Sequence, residues 1–131
     1  MKTIIKNFPA INQEINRIFH LLTIQAPEDM VVIQEKARTG SGCCGMISIL
    51  SREDMNRQNA GKNSRVTPKV RYVFYPSVYF PSCLGSVAIY SDDAAALCNQ
   101  MRCQHTFFGI KILDVVVEYG KRPFVDVRLR A

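Results

Sequence analysis

An α+β domain is predicted, with a mostly antiparallel sheet of five or six strands, two principal helices packed on one face and a C-terminal β-hairpin. Three observations on the 131-residue chain predict it. One amphipathic stripe lies near the N-terminus. Short β-branched and aromatic runs follow, separated by turn residues. Two C-terminal runs then sort into an apolar and a polar face in a single register. With 47% apolar and 21% charged residues the composition is that of an ordinary globular protein, and this length makes one domain, residues 1–131, rather than two.

From Asn7 to Gln25, residues Ile11, Ile15, Ile18, Phe19 and Leu22 recur at helical spacing, with Pro9 where a first-turn proline is tolerated. His20, on the opposite side of that wheel, is expected in solvent. Pro27-Glu28-Asp29 marks a turn. Met30 to Ala37 reads as a strand and Gly45 to Leu50 as another, joined by the Gly-rich segment Thr39 to Gly45. Ser51, with Asp54 three residues on, is a capping signal for one or two helical turns. Asn56 to Ser64 is polar and basic with nothing to bury, so the stretch of about 52–65 is expected to be a mobile basic loop.

Val66 to Phe80 places Val70, Tyr72 and Phe74 on one face and Val73 and Tyr75 on the other. That pattern predicts a central strand covered on both sides, limited by Pro76 and Pro81. Leu84 to Tyr90 is a further short strand. Ser91 as N-cap, with Asp92 and Asp93 in the first turn, opens a helix whose Ala94, Leu97, Cys98 and Met101 share a face. Cys98 should be buried and Cys103 exposed. If Gly120-Lys121-Arg122 is a three-residue turn, Tyr119 meets Pro123, Val117 meets Val125, Val115 meets Val127 and Leu113 meets Leu129. The other face then sets Asp114 opposite Arg128, Val116 opposite Asp126 and Glu118 opposite Phe124. A one-residue slip would scramble both faces.

No run approaches the about 20 apolar residues of a membrane span, and Lys6, Asn7, Pro9 and Asn12 interrupt the place where a secretory signal would carry its apolar core. The protein is therefore expected in the cytoplasm. Its five cysteines, odd in number and irregular in spacing, are expected as reduced thiols.

Gly40-Ser41-Gly42-Cys43-Cys44-Gly45 matches the G-x-G-x-x-G phosphate-loop pattern after a strand. A dinucleotide site also needs a helix straight after the last glycine, whereas Met46 to Leu50 looks like a strand. A Gly-rich turn is the simpler reading. A weaker functional one has Gly40, Ser41, Gly42 and Gly45 forming a backbone nest for an anion. Cys43 or Cys44 becomes a nucleophile if His105 reaches it, as a cysteine-dependent hydrolase or transferase requires. Cys98, Cys103 and His105 offer three metal ligands, with Cys83 or a residue of the Cys43-Cys44 pair as a fourth, but the spacing is unlike the tight pairs of structural zinc. Asp114, Glu118 and Asp126 on one hairpin face read as solvated ion-pair partners rather than acid/base machinery. No cofactor and no metal is expected.

The formal charge of +6 is unevenly placed. Residues 51–72 carry six basic side chains against Glu53 and Asp54, and residues 111–131 carry five against Asp114, Glu118 and Asp126. The rest of the chain is close to neutral. A basic loop beside a basic hairpin tip places Arg57, Lys62, Arg65, Lys69, Arg71, Lys121 and Arg122 as partner-binding candidates, with Tyr72, Tyr75, Tyr79 and Phe80 adjoining. The leading expectation is a small non-enzymatic binding protein, of the inhibitor, immunity or regulatory-adaptor sort, engaging an acidic surface on another macromolecule. The alternatives are a nucleic-acid-binding module using the same residues, the cysteine-dependent enzyme, and a subunit of a homo-oligomer built on exposed strand edges.

Overall fold

The N-terminal stripe forms α1 (Lys2–Gln25) in the computed structural model, which describes residues 2–37, 40, 42–59, 67–77 and 82–130. The helix begins earlier than the sequence implies, so Pro9 stands inside it rather than in its first turn. An interior proline ordinarily costs about 3 kcal/mol. Against that cost, Ile11, Ile15 and Ile18 are at most 2% exposed, and burying each contributes roughly 1.5–3 kcal/mol. His20 is exposed.

Next come β1 (Met30–Lys36), β2 (Gly45–Ser51), α2 (Arg52–Asn59), β3 (Val70–Pro76) and β4 (Cys83–Ser91). They are followed by α3 (Ala94–Arg102), β5 (Thr106–Phe107), β6 (Ile110–Glu118) and β7 (Phe124–Arg130). The seven strands form an antiparallel sheet in the order β1-β2-β3-β4-β7-β6-β5. The strand beyond the expected six is β5, two residues joined to β6 through Phe108-Gly109. Both turn residues have positive φ, 50° and 84°, the geometry of a tight hairpin. Phe108 holds that conformation while its ring meets Phe107 edge-on at 4.9 Å.

Two local expectations shift. Ser51 does cap α2, its Oγ accepting the Asp54 N–H at 3.1 Å, but the helix runs to Asn59, into the stretch read as loop; residues 60–65 lie outside the described residues. At α3 the N-cap is Asp93 rather than Ser91: its Oδ1 accepts the Ala96 N–H at 3.0 Å. Ser91 instead ends β4.

Both long helices cover one face of the sheet. Under α1 and α3 run two cross-strand rows, Gly45–Phe74–Val87–Val127–Val115 and Ile47–Tyr72–Ile89–Val125–Val117. With Ala94, Cys98 and Met101 of α3 they make the core. The hairpin register holds from Glu118↔Phe124 to Asp114↔Arg128. A bulge at Leu113 then puts Ile112, not Leu113, opposite Leu129, and leaves Leu113 47% exposed. Tyr119 and Pro123 flank the strands without pairing, since β6 ends at Glu118. Among the described residues no helix is long and apolar enough to cross a membrane.

Candidate functional site

The second face of the sheet has neither long helix against it, and strand alternation fixes what it presents. One row reads Ile33–Ser48–Arg71–Tyr90–Phe124–Glu118 and the next Glu35–Met46–Val73–Ala88–Asp126–Val116. On this face of β3, Val73 is buried, as expected of a strand covered on both sides, and Tyr75 is half-buried.

A cavity of about 300 Å³ opens here, lined by Glu35, Cys43, Met46, Arg71, Val73, Tyr75, Tyr90 and Arg122. Arg71 reaches it from the start of β3, its Nε donating to Ser48 Oγ at 3.1 Å. Arg122 arrives from the β6–β7 turn. Its guanidinium lies 5.6 Å from the centre of the Tyr90 ring, and one of its NH2 protons goes to the Pro68 carbonyl at 3.3 Å. Tyr90 is in turn packed on Phe124, ring centres 5.0 Å apart. Two arginines from distant parts of the chain are thereby held on one opening by neutral partners. Among the described residues neither lies within ion-pair distance of a carboxylate. Burial, then Tyr90, Cys43 and Asp126, raise the Tyr75 phenol above its ordinary value, keeping it a neutral donor.

A second cavity of about 590 Å³ lies further along the face, lined by Pro76, Ser77, Ser82, Cys83, Gly85, Ser86, Leu113, Asp126 and Arg128. Its cation is already matched, Arg128 Nε lying 3.7 Å from Asp114. Asp126 is pushed up from its ordinary value by burial, with Asp114 and Glu118 adding to the rise and Arg128 opposing it.

The other sequence candidates scatter. Arg57 is matched on its own helix by Glu53 and Asp54, at 3.5 and 3.7 Å. Lys69 and Lys121 are exposed. Lys62, Arg65, Tyr79 and Phe80 lie outside the described residues, as does Ser41. Tyr72 faces the opposite way from Tyr75, against Phe107 with ring centres 6.1 Å apart. In the glycine segment, Gly40 and Gly42 have φ of 81° and 79°, a left-handed backbone that glycine adopts freely. Gly45 is a buried strand residue beneath Ile15, and β2, not a helix, follows it.

Cys43 and Cys44 point to opposite faces: Cys43 lines the cavity, whereas Cys44 lies beside Asn12, Ile15 and Asn16 of α1. Burial first, and then Cys43, push the Cys44 thiol up to about 11. An imidazolium in reach would lower it instead. His105 is exposed next to β5, five strand intervals along the sheet from β2. The structure does not bring it to either thiol. Cys98 is buried and Cys103 exposed. Among the described residues no three His, Cys, Asp or Glu side chains are grouped as metal ligands.

No family model, no curated protein and no solved structure matches the chain.

What the sequence reading missed is the pairing of Arg71 with Tyr75 rather than Tyr72, and the part of Tyr90. The alternation that put Val73 and Tyr75 on one face also puts Arg71 there, so that signal was present. The stacking of Arg122 on Tyr90 depends on the β4–β7 pairing, which no local pattern encodes.

Proposed function

We propose that the chain is a small non-enzymatic binding protein, and that the cavity between Arg71 and Arg122 takes an acidic group of a partner macromolecule. The observation that carries this reading is the convergence on one opening of two guanidiniums that, among the described residues, have no carboxylate partner. Each leaves N–H donors for a carboxylate or phosphate oxygen, and charge-assisted bonds of that kind contribute about 1.5–3 kcal/mol each. A neutral phenol and the apolar Met46 and Val73 share the lining with one carboxylate, Glu35, which leaves the two arginines a net positive charge for one compact acidic group.

A protein partner is favoured over nucleic acid. Glu35, Glu118 and Asp126 stand on the same face and repel a continuous phosphate chain, and the Tyr90 ring is already occupied by Phe124 and Arg122. Among the described residues, Tyr75 in the cavity and the exposed Tyr119 beside the turn are rings left to stack a base, too few to grip a strand of bases.

Fluorescence anisotropy with a labelled peptide carrying a single glutamate among neutral residues and with a labelled single-stranded oligonucleotide tests it. The peptide should bind, and Arg122→Gln should weaken it by about tenfold, with Arg71→Gln similar. Peptide affinity unchanged in both variants overturns the site. Binding of the oligonucleotide alone, falling log-linearly with salt, replaces the reading with nucleic-acid recognition.

A further inference from the structure

The two edges of the sheet are built differently. At the far edge, β5 has two residues, and β6 carries the Leu113 bulge with Asp114 and Glu118. Pairing residues 114–118 of β6 with a second copy at full overlap would set Asp114 against Glu118, like charge against like. Short strands, bulges and charges are the usual protections of an edge. At the near edge, β1 runs seven residues in unbroken register with β2 and has no proline and no bulge.

The Arg52 N–H donates to the Asp29 carbonyl at 2.8 Å, which fixes the odd-numbered residues of β1 as those bonded to β2. By alternation, Val32 and Gln34 turn both N–H and C=O outward. Among the described residues nothing pairs with these groups.

We propose that β1 is the seam of a homodimer, two copies pairing antiparallel about Ile33. The register is self-complementary. It sets Ile33 against Ile33 and Val31 against Glu35 on the open face, and Val32 against Gln34 and Met30 against Lys36 on the helix face. No like charges are opposed. Val32 and Gln34, whose backbone groups already face outward, become the hydrogen-bonded pairs, and Ile33 the closer non-bonded pair. The two-fold axis runs perpendicular to the sheet, so both helical layers stay on one side and the strands form one continuous sheet. Of β1, the arginine cavity is lined by Glu35 alone, and neither Ile33 nor Gln34 belongs to it, so either proposal can fail without the other.

Sedimentation equilibrium at high-micromolar concentration tests it, with circular dichroism to confirm folding. The wild-type chain should sediment at twice its monomer mass. Gln34→Pro removes an outward N–H from an exposed position, and Ile33→Lys opposes two ammonium groups; each should give a folded monomer, while Leu113→Lys at the far edge remains a dimer. In the proposed register Ile33→Cys should form an intermolecular disulfide on mild oxidation, since non-bonded pairs bring Cα atoms to about 4.5 Å, within disulfide reach. Val32→Cys should not. A monomeric wild-type chain overturns the proposal, as does a dimer that survives both edge variants or one cross-linked equally by the two cysteines.

Discussion

Gly85→Ala should be among the costliest one-carbon additions to this protein, and Gly45→Ala among the cheapest. Both glycines sit in strands on the face beneath α1, and neither has the left-handed backbone of Gly40 or Gly42. A Cβ at Gly85 would run into the Tyr75 carbonyl oxygen across the β3–β4 pair and lie 2.9 Å from Ile11 Cδ1. That is about half an ångström inside ordinary contact. Ile11 is fully buried and the carbonyl belongs to the ladder, so relief requires α1 and β3 to move together. Overpacking of this kind costs about 1–3 kcal/mol. Taking about 2 kcal/mol, a chain of this length should lose roughly 8 °C of Tm. At Gly45 the nearest atoms are Ile15 Cδ1 at 3.4 Å and the Glu35 carbonyl at 3.7 Å. Ile15 needs only a small adjustment there, and restricting the unfolded chain returns about 0.4–1 kcal/mol. Gly45→Ala should therefore stay within about 0.5 kcal/mol of wild type. Urea unfolding with matched m-values, checked by thermal melts, measures both. Equal costs at the two positions, or a cost below about 0.5 kcal/mol at Gly85, would refute the close approach of α1 to the β3–β4 pair.

Removing the N-cap by Asp93→Ala should cost about 1 kcal/mol in the same unfolding assay, since the Ala96 N–H loses its acceptor; no change means the cap geometry is wrong. Burial raises Asp126 above its ordinary 3.8, so in the acidic window above that value the folded state holds a proton the unfolded chain has released. Its contribution to stability is present below 3.8 and lost as pH rises through the raised folded value. Asp126→Asn should therefore raise the unfolding midpoint near neutrality, with the gain fading in acid; a gain independent of pH refutes this. With its thiol pushed up to about 11, only about a thousandth of Cys44 is thiolate at pH 8. Iodoacetamide should modify exposed Cys103 first and reach Cys44 and Cys98 only in denaturant, as peptide mass spectrometry will report.

The fold class, the helix stripe of Ile11, Ile15 and Ile18, the burial of Cys98 and most of the hairpin register were legible because each rests on a local period of 3.6 or 2. What escaped depends on information that is not periodic. The β5 strand is too short to have a pattern, and its turn uses Phe108 where Asn or Asp would have signalled it. The Leu113 bulge changes the count by one residue without altering the apolar sequence around it. Propensity alone places Pro9 in a first turn, whereas the burial that follows it carries the helix further back. Of the cavity, Arg71 and Arg122 were both marked by charge. Their meeting requires Tyr90 on β4 to lie beside Phe124 on β7, a contact between strands far apart in the chain.

That β4–β7 contact also governs how the chain reaches its native state. Every other neighbouring pair in the sheet joins strands consecutive in sequence, so β1 to β4 can zip as a meander and β5 to β7 as another, the longest connection within either being the span of residues 52–69 that holds α2. Joining them requires the span holding α3, β5 and β6 to fold back, the costliest loop closure in the molecule. Until that seam forms, Val87, Ile89, Val125 and Val127 have only half of their neighbours and Arg122 has no ring to rest on. The barrier to folding is accordingly expected at the seam, with substitutions there slowing refolding and those in β1 mainly hastening unfolding.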